Sequence, residues 1–247
     1  MPGRLFSVAL DWNGSLVRCG VFKTFEKLLE CNSDAKLVFV DMPIGLSEDG
    51  TRRACDDEAR CVLKRRASSV FTTPTRLTAR VAMCTNSYKA ASCIEREFAE
   101  RGLSQQSFHI ARKIAELDTL LTANIGAPRP PIREVHPEVC FWALNEGKPM
   151  SHNKKKRLGK DERPGEYERL RVLGHRLPPV RSMFLEMIDG TSRSQVARDD
   201  ILDALAAAVT GWLWKSGRGT LATLPAVPPR DSRGLPMEMV YCTPDHA

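Results

Sequence analysis

Two aspartates in the C-terminal part of the chain have the spacing of a metal-binding pair. The segment Asp200-Ile-Leu-Asp203-Ala-Leu-Ala-Ala-Ala sets two carboxylates three residues apart at the start of an apolar helix, predicted over residues 195–215. Positions i and i+3 lie on one face of a helix, so both carboxylates point the same way. Because charged side chains are seldom buried without a partner or a metal, the pair predicts a divalent-cation site.

Helix capping is the alternative explanation for these acids. Acidic residues favour the first turn of a helix, where they cap free backbone N–H groups and match the helix dipole. This explains Asp199 and Asp200 well. It explains Asp203 less well, because Asp is a poor helix-interior residue and strong helix formers follow it here. The metal hypothesis therefore depends mainly on Asp203.

Three further acids stand at or near the ends of predicted strands. Asp11 follows the apolar run 6–10, Asp41 follows the run 37–40, and Glu134 lies in a short strand predicted at 132–135. In open α/β sheets, sites form at the carboxyl ends of strands, so these acids are expected to converge with the acidic helix start. Each acid alone also has an ordinary explanation in turn chemistry.

Several ordered motifs resemble one known family. They are Val40-Asp-Met-Pro-Ile-Gly-Leu46, the stretch Arg52–Arg60 with Cys55-Asp56 and Ala59-Arg60, Ser68-Ser-Val-Phe71 with Pro74 and Arg76, Glu134-Val-His-Pro-Glu138, and Asp200-x-x-Asp203-Ala-Leu. Together they resemble the predicted RNase H-like nuclease family catalogued as domain-of-unknown-function family 429. The helix motif also resembles the end of RuvC-type Holliday-junction resolvases.

This resemblance implies an α/β fold, with an RNase H-like mixed sheet flanked by helices and carrying helical insertions. One domain is expected over residues 1–216, with insertions at about 47–125 and 147–190. Residues 217–247 are expected to form an extended tail that packs on the same domain, with an edge strand near 237–241. Residues 47–82 show weak periodicity, and the polar segment 147–165 is predicted to be a flexible loop.

The resemblance also implies a set of site residues. Two Mg²⁺ or Mn²⁺ ions ~3.5–4 Å apart can support phosphodiester hydrolysis, and such hard cations require oxygen ligands. By analogy, the preferred metal ligands are Asp11, Asp41, Asp200 and Asp203. Glu134 is a further catalytic candidate, which either ligates metal or lies behind the ligands with His136. His136 is either a structural hydrogen-bonding group or a proton carrier, because its ordinary pKa is near neutrality.

The basic residues favour a polyanionic partner. The formal net charge is +7, and part of the excess is concentrated in one run near residue 155. Such a run is either a nucleic-acid contact or a solvated loop. The candidates for phosphate binding are Arg52, Arg65, Arg76, Lys154, Lys155, Lys156 and Arg157. For the arginines, the alternative is salt bridging to the acids at 56–58.

Three functions remain open from the sequence. A metal-dependent nuclease of DNA or RNA is favoured because all four candidate ligands are present. A non-catalytic nucleic-acid-binding protein of the same fold is the alternative. An actin-like phosphotransferase is less favoured, because no second Gly-rich phosphate loop follows the segment 11–15. No run reaches the ~18 apolar residues of a membrane span, and the eight cysteines form no Cys-x-x-Cys pair, so a cytoplasmic protein without membrane contact is expected.

Overall fold

The computed structural model describes residues 4–123, 130–155, 157–158 and 162–245. These residues form a mixed α/β structure, which confirms the predicted class. Its elements are β1 (Leu5–Leu10), β2 (Leu16–Phe22), α1 (Phe25–Cys31), β3 (Val38–Val40), α2 (Ala54–Leu63), a 3₁₀ helix (Lys64–Ser69), α3 (Arg76–Thr85), α4 (Tyr88–Ala99), α5 (Gln105–Thr122), β4 (Ile132–Glu134), α6 (Pro137–Leu144), α7 (Pro164–Arg176), α8 (Val180–Gly190), α9 (Arg198–Lys215), β5 (Gly219–Leu224) and β6 (Met239–Pro244).

The N-terminal strands form a hairpin. β1 pairs antiparallel with β2, and the turn between them contains Gly14 with φ +79°. A glycine is required there for a second reason: a Cβ atom would lie 2.6 Å from Cδ1 of Leu177 and 3.0 Å from Cε2 of Trp212. The turn therefore packs tightly against the helical layer, and a side chain at this position would force the two apart.

The central β structure extends from β3 to the C-terminus. β3 pairs in parallel with β4, and Val135, just after β4, makes a parallel bridge to Val240 in β6. β6 in turn pairs antiparallel with β5. The residues after 217 thus contribute a two-stranded hairpin, whereas the sequence predicted an extended tail with one edge strand. Alternating burial along β6 shows why the pairing forms: Val240 and Cys242 are buried in the core.

The continuous RNase H-like sheet expected from the family resemblance is not shown. Within the described residues, β structure consists of three two-stranded ladders. The Val135–Val240 bridge joins the β3–β4 ladder to the β5–β6 ladder, and no bridge among the same residues joins the β1–β2 ladder to either. β1 and β3 face each other across a cavity and form no ladder with each other. What holds them in one layer is the helix α9, which packs against both strands.

α9 is the central element of the main hydrophobic core. Its residues Leu202, Leu205, Val209 and Leu213 are buried and pack with apolar side chains of α6, α7 and α8. Their spacing of three and four residues forms the single apolar face that helical periodicity requires. Among the described residues, no helix is both long and apolar enough to cross a membrane.

The region 47–85 is helical, although its sequence shows weak periodicity. α2, the 3₁₀ helix and α3 occupy most of it. Their buried positions include polar and charged residues, among them Arg53, Asp56, Arg76 and Thr78. Periodicity analysis counts such residues as exposed, so ion pairs inside the protein conceal the buried face of these helices.

Candidate metal centre

A cavity of about 520 Å³ lies between β1, β3 and α9, and the four predicted metal ligands line it. Asp11 follows β1 and Asp41 follows β3, while Asp200 and Asp203 lie in the first two turns of α9. Most of the remaining lining is apolar, and it comes from the two strands, from α9 and from the segments beside them. The structure therefore places these four acids in the lining of one cavity, and their role as metal ligands stays a prediction.

Asp11 and Asp200 also have local structural roles. Oδ1 of Asp11 accepts hydrogen bonds from the backbone N–H groups of Asn13 (2.9 Å) and Ser15 (2.8 Å). Oδ2 of Asp200 accepts from the backbone N–H of Ala197 at 3.3 Å, as expected of an acid in the first turn of a helix. Turn formation and capping thus orient both carboxylates, and the other oxygen of each accepts no hydrogen bond from the described residues.

Asp41 and Asp203 are in a less favourable electrostatic environment. Enclosure by protein raises the pKa of Asp41 to about 6; Lys154 opposes this shift and Asp200 adds to it. Burial likewise raises the pKa of Asp203 to about 6; Lys154 opposes this shift and Asp41 adds to it. Asp41 is exposed to solvent and lines the cavity. In both cases burial is the largest cause, and the charges of neighbouring acids add to it.

One carboxylate oxygen of Asp203 has no partner. Oδ2 accepts a hydrogen bond from Nζ of Lys154 at 2.5 Å, while Oδ1 is fully buried without a hydrogen-bond partner among the described residues. A buried acceptor without a partner costs free energy, more so when it is charged. A cation or a water molecule at this position would satisfy Oδ1.

The basic run that was predicted to bind nucleic acid divides into two parts. Lys154 points inward to Asp203, and its side chain is only 23% exposed. Burial opposes its charged form, but the charges of Asp203 and Asp41 hold the pKa of Lys154 above its ordinary value. Lys155 and Arg157 are exposed, so their nucleic-acid role stays a prediction. The prediction for Lys156 lies outside the described residues.

Glu134 lies in a second cluster, beside the first. Cys55, Asp56 and Glu134 offer ligand atoms within 4.8 Å of one another, a grouping that could hold a metal ion. However, Arg53 already donates hydrogen bonds to Asp56 (3.1 Å) and to Glu134, and its side chain is 2% exposed. Burial raises the pKa of the Cys55 thiol well above its ordinary value, which disfavours a thiolate ligand.

We therefore interpret this second cluster as a buried ion-pair network. Oε2 of Glu134 also accepts a hydrogen bond from the backbone N–H of Ile44 at 2.7 Å. Arg53 in turn donates to the carbonyl of Ile44 at 3.0 Å. These bonds fix the loop that follows Asp41, and Glu134 thereby positions the first cluster. Glu134 does not line the cavity of that cluster. The predicted catalytic role of Glu134 is not needed to explain its burial.

His136 lies near both clusters. Its Nε2 is 3.3 Å from the carbonyl oxygen of Ser69, and its Nδ1 is buried without a partner among the described residues. Burial lowers the pKa of His136, which favours the neutral ring. It lines a void of about 10 Å³ together with Asp41 and Glu134, enough for about one water molecule. Its predicted function as a proton carrier stays open.

Glu138 was part of a recognised motif, but no role was predicted for it. It is 2% exposed, its Oε1 accepts a hydrogen bond from Arg169 at 2.5 Å, and its Oε2 is buried without a described partner. Its negative charge acts on Asp41, Asp203 and Lys154. The sequence feature that could have drawn attention to Glu138 is its position directly after a proline at the start of α6, where acids are favoured.

Three of the four predicted phosphate-binding arginines have other partners. Arg52 forms an exposed salt bridge with Asp57 at 2.8 Å. Arg65 donates hydrogen bonds to the carbonyl of Pro149 (3.4 Å) and to Oγ of Ser151 (3.1 Å). Arg76 is 3% exposed and is held by three carboxylates, those of Glu48, Asp118 and Asp231. Its burial leaves no surface for a phosphate, so Arg76 is removed from the proposed nucleic-acid contacts.

These features belong to an α/β protein with an acid-lined cavity at its strand ends. The chain belongs to the family described as "Protein of unknown function (DUF429)", whose model matches residues 3–230. No curated protein and no solved structure matches the chain significantly. The family resemblance read from the motifs is therefore confirmed, while the RNase H-like nuclease activity attached to it is not tested by these comparisons.

Proposed function

We propose that this protein is a metal-dependent nuclease that hydrolyses phosphodiester bonds of DNA or RNA at the cavity between β1, β3 and α9. The observation that carries the proposal is the buried, unpartnered Oδ1 of Asp203 beside Asp41, both acids having raised pKa values. Acids in this state are expected to bind a cation, because a divalent ion would neutralise them and occupy the free oxygen.

The residues present fit a hard cation. All four candidate ligands, Asp11, Asp41, Asp200 and Asp203, offer carboxylate oxygens on the same cavity, which is the ligand type that Mg²⁺ and Mn²⁺ prefer. Such ions, when bound, activate water and stabilise the leaving oxygen of a phosphodiester. The alternative cluster around Glu134 is a poorer candidate, because the guanidinium of Arg53 already supplies positive charge there.

The chain supplies further groups to such a reaction. If Nε2 of His136 donates its proton to the carbonyl of Ser69, then Nδ1 is the atom of the ring that is free to accept a proton. Lys155 and Arg157 are exposed on the segment that leads from the acid cluster. Together with the net charge of +7, they support a polyanionic substrate.

The experiment compares the parent protein with Asp41→Asn, Asp203→Asn and the matched control Asp199→Asn. Asp199 precedes the pair on the same helix and does not line the cavity. Each protein is incubated with Mn²⁺ and with single-stranded, duplex and branched DNA and with RNA. We expect cleavage by the parent and by Asp199→Asn, and none by the other two. Full activity of Asp203→Asn, or no cleavage of any substrate by the parent, contradicts the proposal.

A second candidate function is nucleic-acid binding without catalysis. The observation that favours it is the ammonium of Lys154 on Asp203, which gives the acids a positive partner without any metal. The same assay separates the two functions. Salt-sensitive binding by the parent, together with no cleavage and no Mn²⁺ binding, would support the second.

A further inference from the structure

The ammonium of Lys154 lies on one side of the acid cluster. It is 2.5 Å from Oδ2 of Asp203, and the charges acting on it are those of Asp203, Asp41 and Glu138. The ammonium thus contacts Oδ2 of Asp203, while Oδ1 of the same carboxylate has no hydrogen-bond partner among the described residues.

The backbone around Lys154 is held firmly by its neighbours. Oε1 and Oε2 of Glu168 in α7 accept hydrogen bonds from the backbone N–H groups of Ser151 (2.7 Å) and His152 (2.9 Å). Arg169 donates to the carbonyl of His152 at 3.1 Å. Arg65 in the 3₁₀ helix donates to the carbonyl of Pro149 and to Oγ of Ser151. Side chains from the 3₁₀ helix and from α7 therefore both hold the turn before Lys154. The expectation of a flexible loop does not hold for this part of the segment 147–165.

Gly165 provides the closest support. A Cβ atom at this position would lie 2.1 Å from the carbonyl oxygen of Asn153 and 3.1 Å from Cα of Lys154. The backbone of Lys154 therefore rests directly on the first turn of α7, and only a glycine permits that approach. Lys155, the next residue, is exposed. The inward direction of Lys154 is a property of its position and not of the basic run as a whole.

We propose that Lys154 is a built-in cation of the acid site, so that the site takes one divalent cation of the Mg²⁺ or Mn²⁺ class and the ammonium occupies the position of a second. The inference rests on the proposed metal centre and deepens it. A divalent ion at the position of the ammonium would have to displace Lys154 from Asp203, since two cations cannot share that oxygen without strong repulsion. The single ion is then held by Oδ1 of Asp203 and by the acids on the same cavity that Lys154 does not contact, Asp11, Asp41 and Asp200.

The test counts bound Mn²⁺ ions in the whole protein. Calorimetry gives the stoichiometry, and electron paramagnetic resonance of free Mn²⁺ checks it. The variants are Lys154→Met, which keeps an unbranched side chain without the charge, and Lys155→Met as the matched exposed control. We expect one ion in the parent, two in Lys154→Met and one in Lys155→Met. Lys154→Arg keeps the charge and is expected to bind one ion, and Lys154→Gln replaces Lys154→Met if that variant does not fold.

The criterion is one additional ion in Lys154→Met compared with the parent. Two ions in the parent, or equal numbers in the parent and Lys154→Met, overturn the role of Lys154 while the metal centre stands. No ion in the parent and one in Lys154→Met keeps the role of Lys154 but overturns the proposed function of the parent. No ion in any variant overturns both.

Discussion

The substitution Asp203→Asn separates a metal-binding role from a packing role. The pKa of Asp203 is raised from its ordinary 3.8 to about 6 in the folded protein. A carboxyl group whose folded pKa is raised binds its proton more tightly in the folded state than in the unfolded chain. The parent therefore loses stability as the pH rises from about 4 to about 6, and the loss is fully present above that window. Asn resembles the protonated acid and does not ionise, so the variant avoids this loss.

The size of the effect follows from the shift. A shift of about two pKa units corresponds to about 3 kcal/mol, at about 1.4 kcal/mol per unit. This is an upper limit, because Asp203 titrates together with Asp41 and because its side chain is 15% exposed. The favourable contact with Lys154 is already included in the shifted pKa. We expect Asp203→Asn to be more stable than the parent by about 1–3 kcal/mol at pH 7.5, and the gain to shrink towards zero near pH 4.

The assay is urea unfolding of both proteins at pH 4.5 and pH 7.5 without metal, repeated with millimolar Mn²⁺ at pH 7.5. Mn²⁺ should stabilise the parent but not Asp203→Asn, since a ligand that binds only the native state raises its stability. Asp199→Asn serves as the control and should behave as the parent. If Asp203→Asn is destabilised equally at both pH values and still binds Mn²⁺, the residue is a packing element and the reasoning fails.

Three further predictions follow from the same contacts. The stabilisation of the parent by Mn²⁺ should weaken as the pH falls below about 6, because protons then compete for the site acids; calorimetry at pH 5 and pH 7.5 checks this. Arg76→Met should destabilise the protein by about 3–5 kcal/mol in urea, because it leaves buried carboxylates without their partner, whereas the exposed Arg52→Met should change stability by about 0.5 kcal/mol or less. Changing Lys155 and Arg157 to Ala should reduce the salt dependence of nucleic-acid binding by about one to two units of slope, and an unchanged slope would assign both residues to a solvated surface.

The placement of the four aspartates could be predicted from the sequence because it depends on local patterns. Asp11 and Asp41 directly follow short apolar runs, and such runs form strands whose carboxyl ends lie at one edge. Asp200 and Asp203 begin a helix whose apolar spacing is regular. No contact across the chain was needed to infer that these acids share one region, and the structure places all four in the lining of one cavity. What the pattern could not show is that β1 and β3 are separated by a cavity, because pairing between strands is a tertiary property.

The buried ion pairs of Arg76 could not be predicted, because their partners are far apart in the chain. Arg76 is bound by Asp118 and by Asp231, which lie 42 and 155 residues later. Nothing in the local sequence distinguishes this arginine from the exposed Arg52. The inward direction of Lys154 also depends on a contact outside its local sequence, because its backbone packs against Gly165 and the helix that begins there. A run of basic residues therefore predicts charge at a surface, but not which member of the run points into the protein.

The turn that carries Asp11 is held in place by the helix that carries Asp203. Nε1 of Trp212 in α9 donates a hydrogen bond to the carbonyl of Trp12 at 3.2 Å, and the ring of Trp212 packs beside Gly14. The backbone N–H groups of the same turn fix the carboxylate of Asp11. Because β1 and β3 form no ladder with each other, pairing between strands does not set the distance from Asp11 to Asp203. That distance is set by α9, which bears one acid in its second turn and positions the other through a tryptophan nine residues further on.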